Sequence, residues 1–176
     1  MSRVRTVEPI ADVRRRPGTQ RPILRTFPAQ ALGPLVTTSS QVQPEADVAL
    51  DAVAEATGTD VVVSGTVTFA WEGECRRCLQ TVTGTTTADL REIFAAAPVE
   101  GETWPVVGDT IDLAPMLRET VLLTLPLVPL CAEDCPGPDP ERFPAAIEPD
   151  KQASGTDDEK APRDPRWAAL DQLRFD

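Results

Sequence analysis

The chain has 176 residues, a formal net charge of −11 and no histidine. That length suits one domain with tails, and 18 prolines spread along it argue against any long helical architecture. No apolar run reaches membrane-spanning length, and Arg14, Arg15, Arg16 and Pro17 interrupt the place where a signal-peptide core would lie, so a cytoplasmic protein with no membrane partner is expected.

Residues 1–30 read as a basic N-terminal arm with, at most, a short strand near Ile23 to Phe27. Up to residue 25 it holds seven arginines (Arg3, Arg5, Arg14, Arg15, Arg16, Arg21 and Arg25) against Glu8 and Asp12, a net +5 that leaves −16 for the remainder. A basic arm on an acidic body could meet a polyanion at one end. A general preference for arginine, with Lys151 and Lys160 the only lysines, explains the same composition.

Residues 31–137 read as the core. In "DVALDAVAEA" Val48, Leu50 and Ala52 alternate as in a strand, although the alanines leave a helix open; Gly58 supplies the following turn. In "DVVVSGTVTFAWEG" Val61, Val63, Gly65, Val67, Phe69 and Trp71 share one parity and Ser64, Thr66 and Thr68 the other, the period of a half-buried strand. "TVTGTTTADLREIF" repeats the pattern with Val82, Thr86, Ala88 and Leu90. The two make a hairpin whose loop, 73–80, carries Cys75 and Cys78, with Gly73 expected to lend backbone freedom. "APVEGETWPVVGD" reads as loop and a short edge strand. "DLAPMLRETVLLTLP" is the main helix, with Asp112 as N-cap and Pro115 in the first turn. Leu113, Met116, Leu117, Thr120 and Val121 face inward, Arg118 and Glu119 outward, and Pro126 ends it. The chain then runs directly to Cys131 and Cys135.

Residues 138–163 read as an acidic, proline-rich disordered linker with too little apolar surface to offset ordering. Residues 164–176 read as a short C-terminal helix with Asp164 as N-cap, Pro165 in the first turn, and Trp167, Leu170 and Leu173 at helical spacing. Trp167 and Leu170 are the docking candidates, on this domain or on a partner. The expected fold class is α+β: a small antiparallel sheet holding the cysteine-bearing hairpin, one main helix, the disordered linker and the short terminal helix.

Cys75, Cys78, Cys131 and Cys135 are the only cysteines. In a reducing compartment paired thiols point to metal or redox chemistry rather than to structural disulfides. A C-x₂-C and a C-x₃-C together offer the four thiolates of a tetrahedral zinc site. Arg76 and Arg77 inside the first pair would offset its charge and lower the thiol pKa values, or grip phosphate. A C-x₂-C beside positive charge also suits a thiol–disulfide centre, but that motif belongs at a strand-to-helix boundary in a βαβ frame, and here its flanks are strand-like on both sides. Four unconnected free thiols are the third possibility. Without histidine the commonest general base is missing, and neither Ser64 nor Ser39 and Ser40 have a recognisable partner, so an enzyme is not expected.

The chain resembles the YceD family, the large ribosomal RNA subunit accumulation proteins. The resemblance is carried by "VVSGTVTFAWEGECRRCLQTVTGTTTADLREIF", "IDLAPMLRETVLLTLPLVPLC", "AEDCPG" and "DPRWAALDQL", in that order, and "RRRPGTQR" is similar to the amino-terminal segment of actinobacterial members. Cys75, Arg77, Cys78 and Leu79 match the loop motif, Cys131, Cys135 and Gly137 the second pair, and Asp164, Pro165, Trp167 and Leu170 the tail; as leucines, Leu79 and Leu170 are expected in the core. The resemblance implies a non-enzymatic cytoplasmic ribosome-biogenesis factor that acts by binding ribosomal RNA or a large-subunit ribosomal protein. Arg14, Arg15, Arg16, Arg76 and Arg77 are the arginines expected to face an anion. The alternatives are a redox protein using Cys75 and Cys78, or a structural zinc scaffold. Many members continue the second pair with further cysteines; here that place reads "GPDPERF", so any zinc rests on the four thiols alone.

Overall fold

The structure is a computed structural model and describes residues 5–16 and 18–142. The linker beyond Arg142 and the C-terminal helix with Trp167 and Leu170 lie outside the described residues.

The fold is mostly β. The described residues form eight strands: β1 (Val7–Pro9), β2 (Gln20–Pro28), β3 (Ser40–Gln41), β4 (Asp47–Thr57), β5 (Asp60–Glu74), β6 (Thr81–Ala95), β7 (Trp104–Val107) and β8 (Thr110–Asp112). The helices among the described residues are α1 (Ala11–Arg15) and α2 (Leu113–Thr124), with a 3₁₀ turn at Ala29–Leu32. Seven strands form one curled, mixed sheet in the order β1-β8-β7-β6-β5-β4-β2, and β3 pairs with β5 beyond the end of β4. The expected α+β fold with a small antiparallel sheet is therefore corrected: the sheet dominates, and β6–β7 is a parallel pair.

The correction comes mainly from the segment expected to be an arm. Residues 5–28 supply β1, α1 and the whole edge strand β2, which pairs with β4 from Gln20↔Glu55 to Pro28↔Asp47. Its inward face reads Arg21, Ile23, Arg25, Phe27; Ile23 and Phe27 are buried. Two arginines on an inward face hide the strand from hydropathy. Two prolines would exclude a central strand but are tolerated at an edge. The arginines are held by Glu8 of β1, itself buried: Arg21 Nη2 donates to Glu8 Oε1 at 2.7 Å and Arg25 Nη1 to Glu8 Oε2 at 2.7 Å. Arg21 also reaches Asp12 at 3.4 Å, and Arg25 Nη2 donates to the Arg5 carbonyl at 2.7 Å. The net +5 already counts Glu8 and Asp12, so these pairs anchor Arg21 and Arg25 in the domain without reducing that surplus.

The central hairpin follows the expected parity. Val61, Val63, Val67 and Phe69 of β5 are buried, as are Leu90 and Phe94 of β6, and β4 buries Val48, Leu50, Ala52 and Ala54. The alanine-rich β4 is a strand because its partners β2 and β5 take up its backbone groups and its small side chains let the sheet close. The Gly65–Ala52 pair shows the closeness: a Cβ on Gly65 would lie 2.1 Å from the Asp51 carbonyl oxygen and 2.5 Å from Ala52 Cα. Over this face pack Leu113, Met116, Leu117 and Val121 of α2, all fully buried. Asp112 caps the helix as expected, its carboxylate accepting from Ala114 N at 3.1 Å. Arg118, expected to point out, instead donates to the carbonyls of Leu32 and Pro34 and so ties α2 to the 3₁₀ turn.

Candidate metal centre

Two limbs meet at one end of the sheet. The first is the β5–β6 loop. Cys75 N donates to the Gln80 carbonyl at 2.8 Å and Leu79 N to the Cys75 carbonyl at 2.9 Å, which curls the loop into a knuckle. The left-handed residue in it is Leu79, at φ 62°, and its side chain is 68% exposed. Two expectations are corrected here. Leu79 is not core, and Gly73 is needed for space rather than for a positive φ: a Cβ there would lie 2.5 Å from the Ser39 carbonyl oxygen and 3.0 Å from Pro129 Cγ.

The second limb is the chain leaving α2. Arg76 N donates to the Pro129 carbonyl at 3.0 Å, so the knuckle binds this limb by its backbone. Ser40 Oγ, buried, donates to the Pro126 carbonyl at 2.7 Å and holds the limb from the other side. Sequence reasoning left Ser40 without a partner, and no local signal marks it because the carbonyl it finds is 86 residues away. Cys135 N donates to the Ala132 carbonyl at 3.2 Å, turning the chain so that Cys135 is buried while Cys131 stays exposed at the rim of the cluster. Arg77 Nη1 donates to the Glu133 carbonyl at 2.7 Å and the Cys135 carbonyl at 3.2 Å. Its guanidinium therefore clasps the second limb.

The four sulfurs converge. Cys75 Sγ lies 3.7 Å from Cys131 Sγ and 3.8 Å from Cys135 Sγ, and Cys78 Sγ lies 3.7 Å from Cys131 Sγ. All four lie within 4.8 Å of one another. A disulfide needs about 2.05 Å, and all four cysteines are free. A tetrahedron with zinc–sulfur bonds of ~2.3 Å has edges of about 3.8 Å, so the donor set and its spacing fit Zn²⁺.

The thiol acidities express the same crowding. Backbone N–H groups, first that of Cys78, then those of Cys131 and Arg77, point at Cys75 and lower its pKa to about 6. The surrounding sulfurs, Cys135 foremost and then Cys75 and Cys78, push Cys131 up to about 12. For Cys78 the Gln80 N–H pulls downward, but burial and the sulfurs of Cys75 and Cys135 outweigh it and the net shift is upward. One thiolate forms easily and the later ones are resisted by it. A divalent cation at the centre removes that resistance.

The remaining arginines lie elsewhere. Arg14 Nη1 donates to the Gly108 carbonyl at 2.8 Å and to Asp109 at 3.2 Å, in the β7–β8 turn, while Arg15 and Arg16 are exposed on and just after α1. β7 joins β6 only at Phe94 and Ala95, the end of β6 farthest from the knuckle. Thirteen residues of strand, roughly 40 Å of backbone, separate that end from Thr81. The α1 arginines and the knuckle arginines therefore do not form one surface. Arg76 is exposed, and its guanidinium has no partner among the described residues. No described helix is long and apolar enough to cross a membrane.

A curled sheet protein with a four-thiol centre built from a hairpin knuckle and a post-helical limb is thus the class defined by fold and site. The family model described as large ribosomal RNA subunit accumulation protein YceD matches residues 63–174, from near the start of β5 through both thiol pairs. A protein from Mycobacterium tuberculosis and one from Mycobacterium bovis, both described as uncharacterized, are each 35% identical over 174 residues, covering 93% of this chain and 79% of their own. A Mycobacterium leprae protein, also described as uncharacterized, is 34% identical over 135 residues, covering 73% of this chain and 61% of its own. No solved structure matches. The chain belongs to the YceD family, whose description ties it to accumulation of the large ribosomal RNA subunit.

Proposed function

We propose that the protein is a non-enzymatic cytoplasmic factor that supports accumulation of large-subunit ribosomal RNA by binding ribosomal RNA or a large-subunit ribosomal protein. Zinc held by Cys75, Cys78, Cys131 and Cys135 fixes the knuckle against the second limb. The observation that carries this reading is the family match, which spans the hairpin, α2 and both thiol pairs, together with sulfurs spaced as a tetrahedral site requires. Zinc in such a closed four-thiolate site is structural, because no coordination position is left for a substrate. Of the five arginines expected to face an anion, contact with RNA would fall to Arg15, Arg16 and Arg76, which are exposed; Arg14 and Arg77 are engaged within the domain.

The test is sedimentation of a lysate through a sucrose gradient. The protein should travel with precursor large subunits, and a Cys75→Ser/Cys131→Ser variant should stay at the top. A wild-type protein found only at the top would sink the reading. Elemental analysis after purification without added metal should give one zinc per chain, and a metal-free protein would remove zinc from the account.

A further inference from the structure

We infer that the outer edge of β6 is a strand-addition site for an extended, basic segment of a partner protein. This rests on the binding role proposed above and names the chemistry of the partner. β6 is bonded to β5 through fourteen consecutive residue pairs, Thr81 to Phe94, without a bulge. On its other side β7 joins only at Phe94 and Ala95. From Thr81 to Ile93 that edge has no strand partner among the described residues.

Free edges are normally blunted by proline, charge, bulges or a covering element. The opposite edge of the sheet is blunted in this way. There β2 carries Pro22 and Pro28, and its Arg21 and Arg25 are locked onto Glu8. β6 has none of these devices between Thr81 and Ala88: no proline, no charged residue, no bulge. Its exposed face there is Thr83, Thr85 and Thr87, residues that favour strands and stay soluble. An edge so regular and so unprotected is a template for an added strand, whose main chain supplies affinity and whose alternate side chains supply specificity.

The surroundings select the occupant. Where the same unpaired edge continues past Ala88, a groove of about 210 Å³ lies between Asp89 to Glu92 and α2, and its lining includes Asp89, Glu92, Trp104, Glu119 and Leu123. Three of its ten lining residues are acids, of which Glu92 already accepts from Trp104 Nε1 at 2.9 Å; Arg91 is the one cation lining the groove, and Leu123 is 77% exposed. The acids favour lysine or arginine on the incoming strand, and Leu123 offers an apolar contact. The same acids disfavour a phosphate backbone. They also disfavour a second copy of a chain whose net charge is −11.

The probe is a synthetic nine-residue peptide alternating lysine and valine, compared with one alternating glutamate and valine. Binding to the full-length chain is followed by fluorescence anisotropy and by amide hydrogen exchange. The lysine peptide should slow exchange of outward amides between Val82 and Arg91 at least tenfold, and the glutamate peptide should bind at least tenfold more weakly. Asp89→Lys should weaken the lysine peptide several-fold while leaving the thermal midpoint unchanged. Equal binding of the two peptides, protection confined to other strands, or a single-stranded RNA oligonucleotide protecting β6 in their place would overturn the inference. So would outward β6 amides that already exchange as slowly as those of β5 in the dilute free protein, since the edge would then be covered by the chain itself. A protein that travels with precursor subunits but fails these tests loses the strand-addition site and keeps its binding role.

Discussion

Arg77→Ala separates two accounts of the arginines in the knuckle. If they act by charge alone, Arg76 and Arg77 are equivalent, and removing either weakens the metal centre equally. The structure makes them unequal. Arg77 Nη1 donates to the carbonyls of Glu133 and Cys135, at 2.7 and 3.2 Å, whereas Arg76 is exposed and meets the second limb only through its backbone N–H. Two bonds from a charged donor, discounted for exposure, are worth about 1.5–3 kcal/mol between them. Their loss frees the limb that carries Cys131 and Cys135. Removing such outer support typically costs 10–100-fold in metal affinity, the same range of energy. Competition with a chromophoric chelator should therefore show Arg77→Ala weakened by that factor and Arg76→Ala within about twofold of wild type. The deficit should persist in high salt, because it is a lost contact and not a screened field. Equal losses for the two variants, or a loss that salt abolishes in both, would refute the clasp.

Zinc affinity should fall as pH falls. Cys78 and Cys131 have raised pKa values and are protonated at neutral pH, so binding must expel at least two protons. Calorimetry at pH 7.5 in buffers of different ionisation enthalpy would count them, and release of fewer than two contradicts the arrangement of sulfurs. Gly65→Ala should cost more than about 3 kcal/mol in urea unfolding, since its Cβ would meet Asp51 and Ala52 backbone atoms at 2.1 and 2.5 Å; an unchanged midpoint would refute the close β4–β5 approach. Glu8→Gln should cost about 2–4 kcal/mol in urea unfolding by removing the carboxylate that Arg21 and Arg25 share, a figure at or below the range for broken buried pairs because the arginines are partly exposed and Arg21 keeps Asp12; an unchanged midpoint would contradict the shared pair.

What could be read from sequence was what repeats locally. The parity of Val61 to Phe69 placed β5, the same parity placed β6, and the loop between them had to hold Cys75 and Cys78. Asp112 and Pro115 announced α2 by capping chemistry that operates within one turn. What escaped depends on distant partners. β2 is a strand because β4 pairs with it and because Glu8 neutralises its two inward arginines, and neither condition is visible in "QRPILRTFP". Ser40 shows no partner in the sequence, and Arg77 reads as facing an anion, because their carbonyl partners lie 86 and 56–58 residues off. Leu79 looked like core because leucine usually is, but its left-handed backbone sets it on the outside of the knuckle.

The sulfurs that touch across the centre belong to residues 53–60 apart in sequence. During synthesis the ring of ligands cannot be completed until Cys135 has emerged, by which time every strand and helix among the described residues has already been synthesised. A bound ion would then act as a seal on the finished domain: a cross-link over a span of that length removes about 4 kcal/mol of freedom from the unraveled chain. A truncated product ending before Cys131 would lack that seal entirely.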